Sequence, residues 1–200
     1  MAENLYKIVE IEGKGLGCVA LQDIQIGTLI LKEKPQLSVE ISDDLPNSLL
    51  FKKVIEAFSS MSKDDQENYL MLHNKFSDPV SLNDEMKSDY LEAKYDVESA
   101  INASEDSDLG LNLKIICLFI TNGFINGVVR IKTARFNHAC CSNAEMLLRD
   151  DQDQEVEIRA VSRIKAGQGM EFFPKMAIFV IGTVGQKILK SPGKKTRVIK

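Results

Sequence analysis

A chain of 200 residues and 22.3 kDa is long enough to bury roughly 70% of the surface its unfolded form exposes. With 44% hydrophobic and 27% charged residues, it has the composition of an ordinary globular domain, which excludes a collagen-like, coiled-coil or wholly disordered chain. The net charge of −4 is uneven: residues 175–200 hold seven basic side chains and no acidic one, leaving 18 basic against 29 acidic in residues 1–174, a net of about −11. So acidic a body is unsuited to nucleic acid except through the basic end, and suited to basic peptides.

The longest apolar run, Met176 to Val184, is nine residues, too short to cross a bilayer, and residues 1–4 lack the basic and apolar pattern of a leader, so no membrane span is expected. Cys18, Cys117, Cys140 and Cys141 include an adjacent pair and no CxxC. That pattern fits neither a secreted disulfide framework nor a self-contained zinc site. Reduced thiols, no metal and an intracellular place, nucleus or cytoplasm, are expected.

Three short strands open the chain. Lys7–Glu12 alternates apolar and polar, Gly13-Lys14-Gly15-Leu16-Gly17 reads as a turn, Cys18–Leu21 follows, and Gly27–Lys34 ends at Pro35. Beyond Pro46 the period becomes helical, with Leu49, Leu50, Lys53, Val54, Ala57 and Phe58 on one stripe. Ser62–Glu67 opens a second helix with a capping signal. A polar helix is predicted from Ser81 to about Ala103, and an apolar one from Asp108 to near Gly123 with Leu111, Ile115, Leu118 and Phe119 facing the core. His73 reads as a residue at the C-terminus of the second helix, and Met61, Met71 and Met86 as core or surface helix positions. Strand patterns return at Val128–Ile131, Ala144–Arg149 and Glu155–Ala160, the last two separated by Asp150-Asp151-Gln152-Asp153. Strands, helices, then strands, without βαβ alternation, predict an α+β fold with antiparallel sheets and a helical insertion. No internal repeat is evident.

The glycine loop at 13–17, with Glu33 about 20 residues on, has the outline of a dinucleotide fingerprint, but Cys18–Leu21 reads as a strand where the fingerprint needs a helix N-terminus. A glycine-rich turn is the simpler reading. The segment Arg135-Phe136-Asn137-His138-Ala139-Cys140-Cys141-Ser142-Asn143 gathers two asparagines, a histidine and two thiols between strands. Three readings are open: asparagines that fix a ligand amine or carboxylate, a metal ligand at His138, or an Asx-stabilised turn. A Cys140–His138 dyad is not expected, since side chains two apart on an extended chain do not readily reach proton-transfer geometry.

Taken in order, these stretches resemble the SET-domain family of protein lysine methyltransferases, and most closely its SET and MYND branch. Gly13 to Gly17 through Asp23, Ile24, Gly27, Ile30, Glu33 and Pro35 is similar to the family opening G-x-G-h-x-A-x-x-D-I-x-x-G-x-x-I-x-x-E-x-P. Arg135 to Asn143 is similar to R-F-N-H-S-C-x-P-N, with Ala139 and Ser142 as departures. Glu157–Ala160 with Ile164–Gly167 is similar to I-R-A-x-x-x-I-x-x-G-E-E, and Asn122 with Phe124 to the N-x-F of the branch.

The resemblance implies a SET domain over 1–174, with a helical insertion at about 46–124 and a divergent end over 175–200. It implies S-adenosylmethionine as cofactor, held by the backbone of Lys14, Gly15 and Leu16, the Asn137 side chain and the His138 backbone, with Asn122 in the same pocket. The implied partner is a lysine-bearing protein or peptide, histone or not, and the implied reaction is methyl transfer to the lysine amine. Two departures bear on activity. Pro174 stands at the position of the family's catalytic tyrosine, leaving Phe172 and Phe173 as candidate channel walls, and no cysteine follows Cys141 to complete the branch's zinc-binding end, nor is a zinc-binding MYND insertion present. The catalytic residue is therefore unassigned. The competing expectation is a SET-shaped interaction module without catalysis.

Overall fold

The computed structural model describes residues 5–42, 45–78, 80–101, 108–124, 127–148 and 154–172. Its first element is a hairpin of β1 (Tyr6–Ile11) and β2 (Gly15–Ala20), antiparallel from Tyr6↔Ala20 to Ile11↔Gly15. The predicted turn at 13–17 is shorter than expected, because Gly15 and Gly17 lie inside the ladder. Gly17 is there for room: a Cβ at this position would stand 2.3 Å from Asn137 Nδ2 and 2.5 Å from Ile11 Cδ1. Glycine in a strand interior marks such a close approach.

Strands β3 (Leu29–Glu33) and β4 (Leu37–Ser38) lead into four helices, α1 (Asn47–Ser59), α2 (Lys63–Leu70), α3 (Asp84–Ile101) and α4 (Leu109–Asn122). After them come β5 (Val128–Val129), a 3-10 turn at Thr133–Arg135, β6 (Asn137–His138), β7 (Ala144–Leu148), β8 (Val156–Ala160) and β9 (Gly169–Phe172). The main sheet runs β1-β2-β9-β7-β8-β3 with β6 also on β9, and β4 pairs with β5 apart from it. Most pairs are antiparallel as expected, but β6 and β7 each run parallel to β9. The roughly 30 residues between His138 and Gly169 supply the crossover that a parallel pair requires. The two-residue strands β4 and β6 are too short to show a period in the sequence.

Helix starts follow local chemistry. Ser62 Oγ accepts from Asp65 N–H at 3.1 Å, Asn83 Oδ1 from Met86 N–H at 2.9 Å, and Asp108 Oδ1 from Leu111 N–H at 3.0 Å, each satisfying an otherwise orphaned donor of a first turn. In α4, residues Ile115 to Ile120 are all buried, so this helix is surrounded rather than amphipathic. Leu111 (38% exposed), expected in the core, and Leu49 (45%), expected on the buried stripe of α1, both face solvent. His73 lies past the end of α2, which closes at Met71. Buried Tyr69 on α2 donates its hydroxyl to Ile115 O at 3.0 Å.

Two cores result. One joins the helices to Leu37, Val39, Val129 and Ile131 around fully buried Val54, Val97, Ile116 and Leu118. The other fills the sheet around Cys18, Ile24, Ala144, Ile158, Ile164 and Met170. Each fully buried aliphatic side chain contributes about 1.5–3 kcal/mol relative to exposure.

A repeat absent from the sequence reading emerges at the centre of the sheet core. Residues 20–30 and 160–170 have the same backbone course, with Gly27 and Gly167 both at φ +81°. Gly27 N–H donates to Ala160 O and Gly167 N–H to Ala20 O, both at 2.8 Å. The shared sequence, Ala followed four residues on by Ile and three later by Gly, is too sparse to register as a repeat.

Candidate functional site

The motif from Arg135 to Asn143 lies where the two cores meet, and its neighbours hold it from several sides. Arg135 is 8% exposed and donates to Met71 O at 2.8 Å, tying the motif to the end of α2. Glu33, 5% exposed at the end of β3, accepts from Lys132 N–H (2.9 Å), Thr133 N–H (2.7 Å) and the Thr133 hydroxyl (2.7 Å). Gln36 Oε1 accepts from Ile131 N–H at 2.9 Å.

Asn143 clamps β9. Its Nδ2 donates to Gly169 O at 2.8 Å and its Oδ1 accepts from Glu171 N–H at 2.9 Å, so the amide acts as a short piece of strand. The sequence leaves Asn143 open as a ligand-fixing side chain or part of an Asx-stabilised turn, and the structure sets it on the backbone of β9 instead. The signal was its place at the end of the nine-residue motif, but what it bonds to lies 26 and 28 residues away.

A cleft of about 160 Å³ opens beside these elements, walled by Asn122 at the end of α4 and Phe124 after it, Thr133 and Ala134 of the 3-10 turn, and Phe136, His138 and Phe172. Phe136 and Phe172 have ring centroids 6.2 Å apart, and the Tyr6 ring stands 5.6 Å from that of Phe136. Behind the cleft lies a polar layer. Burial lowers the affinity of Arg135 and of fully buried Arg130 for their protons, and the Arg130 guanidinium lies 5.5 Å from the Phe124 ring centroid. Burial, then the facing Cys18 and Glu33, pushes the Tyr6 hydroxyl up to about 12. Burial, opposed by Arg135 and reinforced by Glu33, pushes the Cys18 thiol up to about 12.

Of the residues expected in the site, Asn122, His138 and Phe172 line this cleft together. Asn122 also has a structural job: its Nδ2 donates to His73 O (2.8 Å) and Leu118 O (2.9 Å). Asn137 stands against Gly17, and its Nδ2 is buried without a hydrogen-bond partner among the described residues. Lys14, Gly15 and Leu16 lie on the hairpin next to this contact rather than on the cleft wall; Lys14 forms an ion pair with Glu171 of β9, the residue in register with Asn137. Phe173 and Pro174, with the whole of 175–200, lie outside the described residues. Contrary to expectation, Cys140 Sγ comes within 3.7 Å of His138 Nε2. The chain bends at 139–142 instead of continuing extended, which brings the two side chains together. Among the described residues no group of three His, Cys, Asp or Glu is arranged to hold a metal ion.

The donor set fits S-adenosylmethionine in one specific respect. A buried amide N–H with no acceptor costs about 1–3 kcal/mol, and an oxygen of a bound molecule hydrogen-bonded to Asn137 Nδ2 would relieve it.

The family model of the SET domain matches residues 15–171. The chain belongs to the SET-domain family. Among curated proteins it is similar to the histone-lysine N-methyltransferase set5 of Schizosaccharomyces pombe, 27% identical over 165 residues. That similarity covers 82% of this chain and 40% of the relative, so the chain spans well under half the length of that protein. Among solved structures the SET fold here is similar to the SET domain of LSMT bound to lysine and AdoHcy, with a TM-score of 0.59 and 17% identity over 86% of this chain and 50% of that one. It is equally similar to Rubisco LSMT bound to AdoMet, with a TM-score of 0.59 and 16% identity over 86% of this chain and 49% of that one.

Proposed function

We propose that this SET domain binds S-adenosylmethionine beside Asn137 and Gly17 and transfers its methyl group to a lysine amine of a protein substrate. The observation that carries this reading is the buried Asn137 Nδ2 without an acceptor, against a glycine whose side chain would occupy the same space. The bound sulfonium supplies an activated methyl group. The chain's own residues bind, orient and desolvate: Asn137 offers its amide donor, and His138 has its backbone fixed on β9 opposite Phe172.

Phe136 and Phe172 give the cleft an apolar wall that disfavours an ammonium and favours the neutral amine. A lysine of pKa near 10.4 needs roughly 4–5 kcal/mol to lose its proton at pH 7, and placing the amine in line with the methyl group then supplies most of the remaining help. No side chain is assigned as the base. With Pro174 at the family's tyrosine position, we infer a slow enzyme rather than a module without catalysis.

The acidic body, net about −11 over residues 1–174, favours lysine-rich substrates such as histone segments. Such a substrate is also consistent with the yeast relative's name. Asn122 and Phe124, both on the cleft wall, support a place near the SET and MYND branch. The four free cysteines suit the nucleus or cytoplasm.

Calorimetric titration of S-adenosylmethionine into wild type and Asn137→Ala tests the reading. Binding in the first and loss in the second support it, followed by methyl incorporation into lysine-rich peptides that rises with pH. A well-folded wild type that binds nothing overturns it.

A further inference from the structure

Three successive backbone N–H groups, those of Ile131, Lys132 and Thr133, point at side-chain oxygens from one short segment about 95 to 100 residues earlier. Gln36 takes the first and Glu33 the next two. These donors belong to the entry of the 3-10 turn, where N–H groups have no partner within the turn itself. The Thr133 hydroxyl gives Glu33 a further donor at 2.7 Å.

A carboxylate 5% exposed is expensive to bury unless fully bonded, and here every bond it makes among those described goes to this one turn. The turn in question is functional ground: Thr133 and Ala134 wall the cleft, and Phe136, Asn137 and His138 follow directly. The other end of the clamp is rigid. Glu33 is in register with Val156 of β8, and Pro35 sits between the two clamping residues. Sheet position is thus transmitted through one carboxylate to the place where the Asn137 amide stands.

We propose that Glu33 is a positioning residue for the cofactor site beside Asn137, fixing through Lys132 and Thr133 the orientation of that side chain. The inference rests on the reading that Asn137 receives S-adenosylmethionine, and it adds a residue remote from the ligand that sets the affinity.

The test uses the full chain and three variants. Thr133→Val keeps the shape and removes the hydroxyl donor, Thr133→Ser keeps the donor, and Glu33→Gln sets an NH2 group against one of the backbone donors. Calorimetry with S-adenosylmethionine is expected to show at least a tenfold rise in Kd for Glu33→Gln and a three- to tenfold rise for Thr133→Val, with most of the loss recovered in Thr133→Ser.

Nitrogen-proton spectra without cofactor supply a reading that general destabilisation would not move. The Asn137 side-chain amide and Ala139 N–H signals are expected to shift in Thr133→Val, while those of Gly27 and Gly167 stay in place. A folded Thr133→Val with wild-type Kd and unmoved Asn137 signals overturns the inference, whether or not Glu33→Gln folds. If the wild type fails to bind, the functional reading falls and the affinity claim with it. The Asn137 signals then still report on whether the clamp orients that residue.

Discussion

Ile24 and Ile164, 140 positions apart, exchange both backbone hydrogen bonds, Ile24 N–H to Ile164 O at 2.8 Å and Ile164 N–H to Ile24 O at 2.9 Å. They are 2% and 0% exposed. Around them the chain repeats its course, so each isoleucine fills the same kind of socket in the sheet core. Truncation at either site is expected to cost about 2–5 kcal/mol, and Ile24→Ala and Ile164→Ala are expected to agree within about 1 kcal/mol. Urea unfolding of the two variants checks this, and strongly unequal costs would show that the resemblance of the two turns is not energetic.

Gly27 and Gly167 supply a second pair. Both have φ +81°, and neither would bring an added Cβ within 4 Å of another group, so the cost of alanine is one of backbone conformation alone. That cost is about 1–2 kcal/mol. Gly27→Ala and Gly167→Ala are both expected to lower the thermal midpoint by similar amounts without altering ligand binding.

Gly17→Ala is expected to behave in the opposite way. Its Cβ would collide with Asn137 Nδ2 and Ile11 Cδ1, so the Asn137 amide must turn away from its present position. Calorimetric binding of S-adenosylmethionine is expected to disappear in a protein that still unfolds cooperatively. Unchanged binding would detach Gly17 from the site.

Much of this was legible beforehand. The first and last helices are readable from apolar spacing, the second from its cap at Ser62 and the third from its polar run, and the longer strands from alternation, because those signals are local. What stayed hidden depends on partners distant in sequence. Gly17 reads as a turn residue until Asn137 is seen to cross it, Leu111 as a core residue until α4 is seen to be surrounded elsewhere, and the clamps made by Glu33 and Asn143 leave no trace in spacing. The parallel pairing of β6 and β7 with β9 is hidden for the same reason. The Cys140–His138 contact is hidden because an extended chain would keep the two side chains apart, whereas the backbone bends after His138.

The four thiols divide into two classes. Burial pushes Cys18 up to about 12 and Cys117 up to about 11, whereas Cys140 and Cys141 are exposed. A chromogenic disulfide reagent at pH 8 is expected to titrate two thiols rapidly in the native protein and the other two only on unfolding, since the thiolate is the reacting form. Mass mapping assigns the fast pair, and early modification of Cys18 would contradict the packing around it.

Asp23 links stability to acid. Its carboxylate accepts from Ala166 N–H (3.0 Å) and from Arg163 Nη2 (2.6 Å), which hold its pKa below the ordinary carboxylate range. A depressed folded-state pKa contributes stability that is present above the unfolded value, near 4, and lost as pH falls through the folded one. The thermal midpoint of wild type is therefore expected to drop more steeply than that of Asp23→Asn as pH falls below about 4. Parallel profiles would show that the pair contributes nothing.

The sheet order also sets a timetable for a chain made from its N-terminus. β2 meets β9 through Cys18↔Met170, and β3 meets β8 through Glu33↔Val156. At about 5–20 residues per second, the first hairpin waits roughly 8 to 30 seconds for its neighbour, with one edge of β2 and both edges of β3 open in the meantime. The helices between 47 and 122 depend on nearer contacts and are complete long before. A nascent chain thus passes through a period in which the helices are built while unpaired strand edges within its first 40 residues invite the wrong partners.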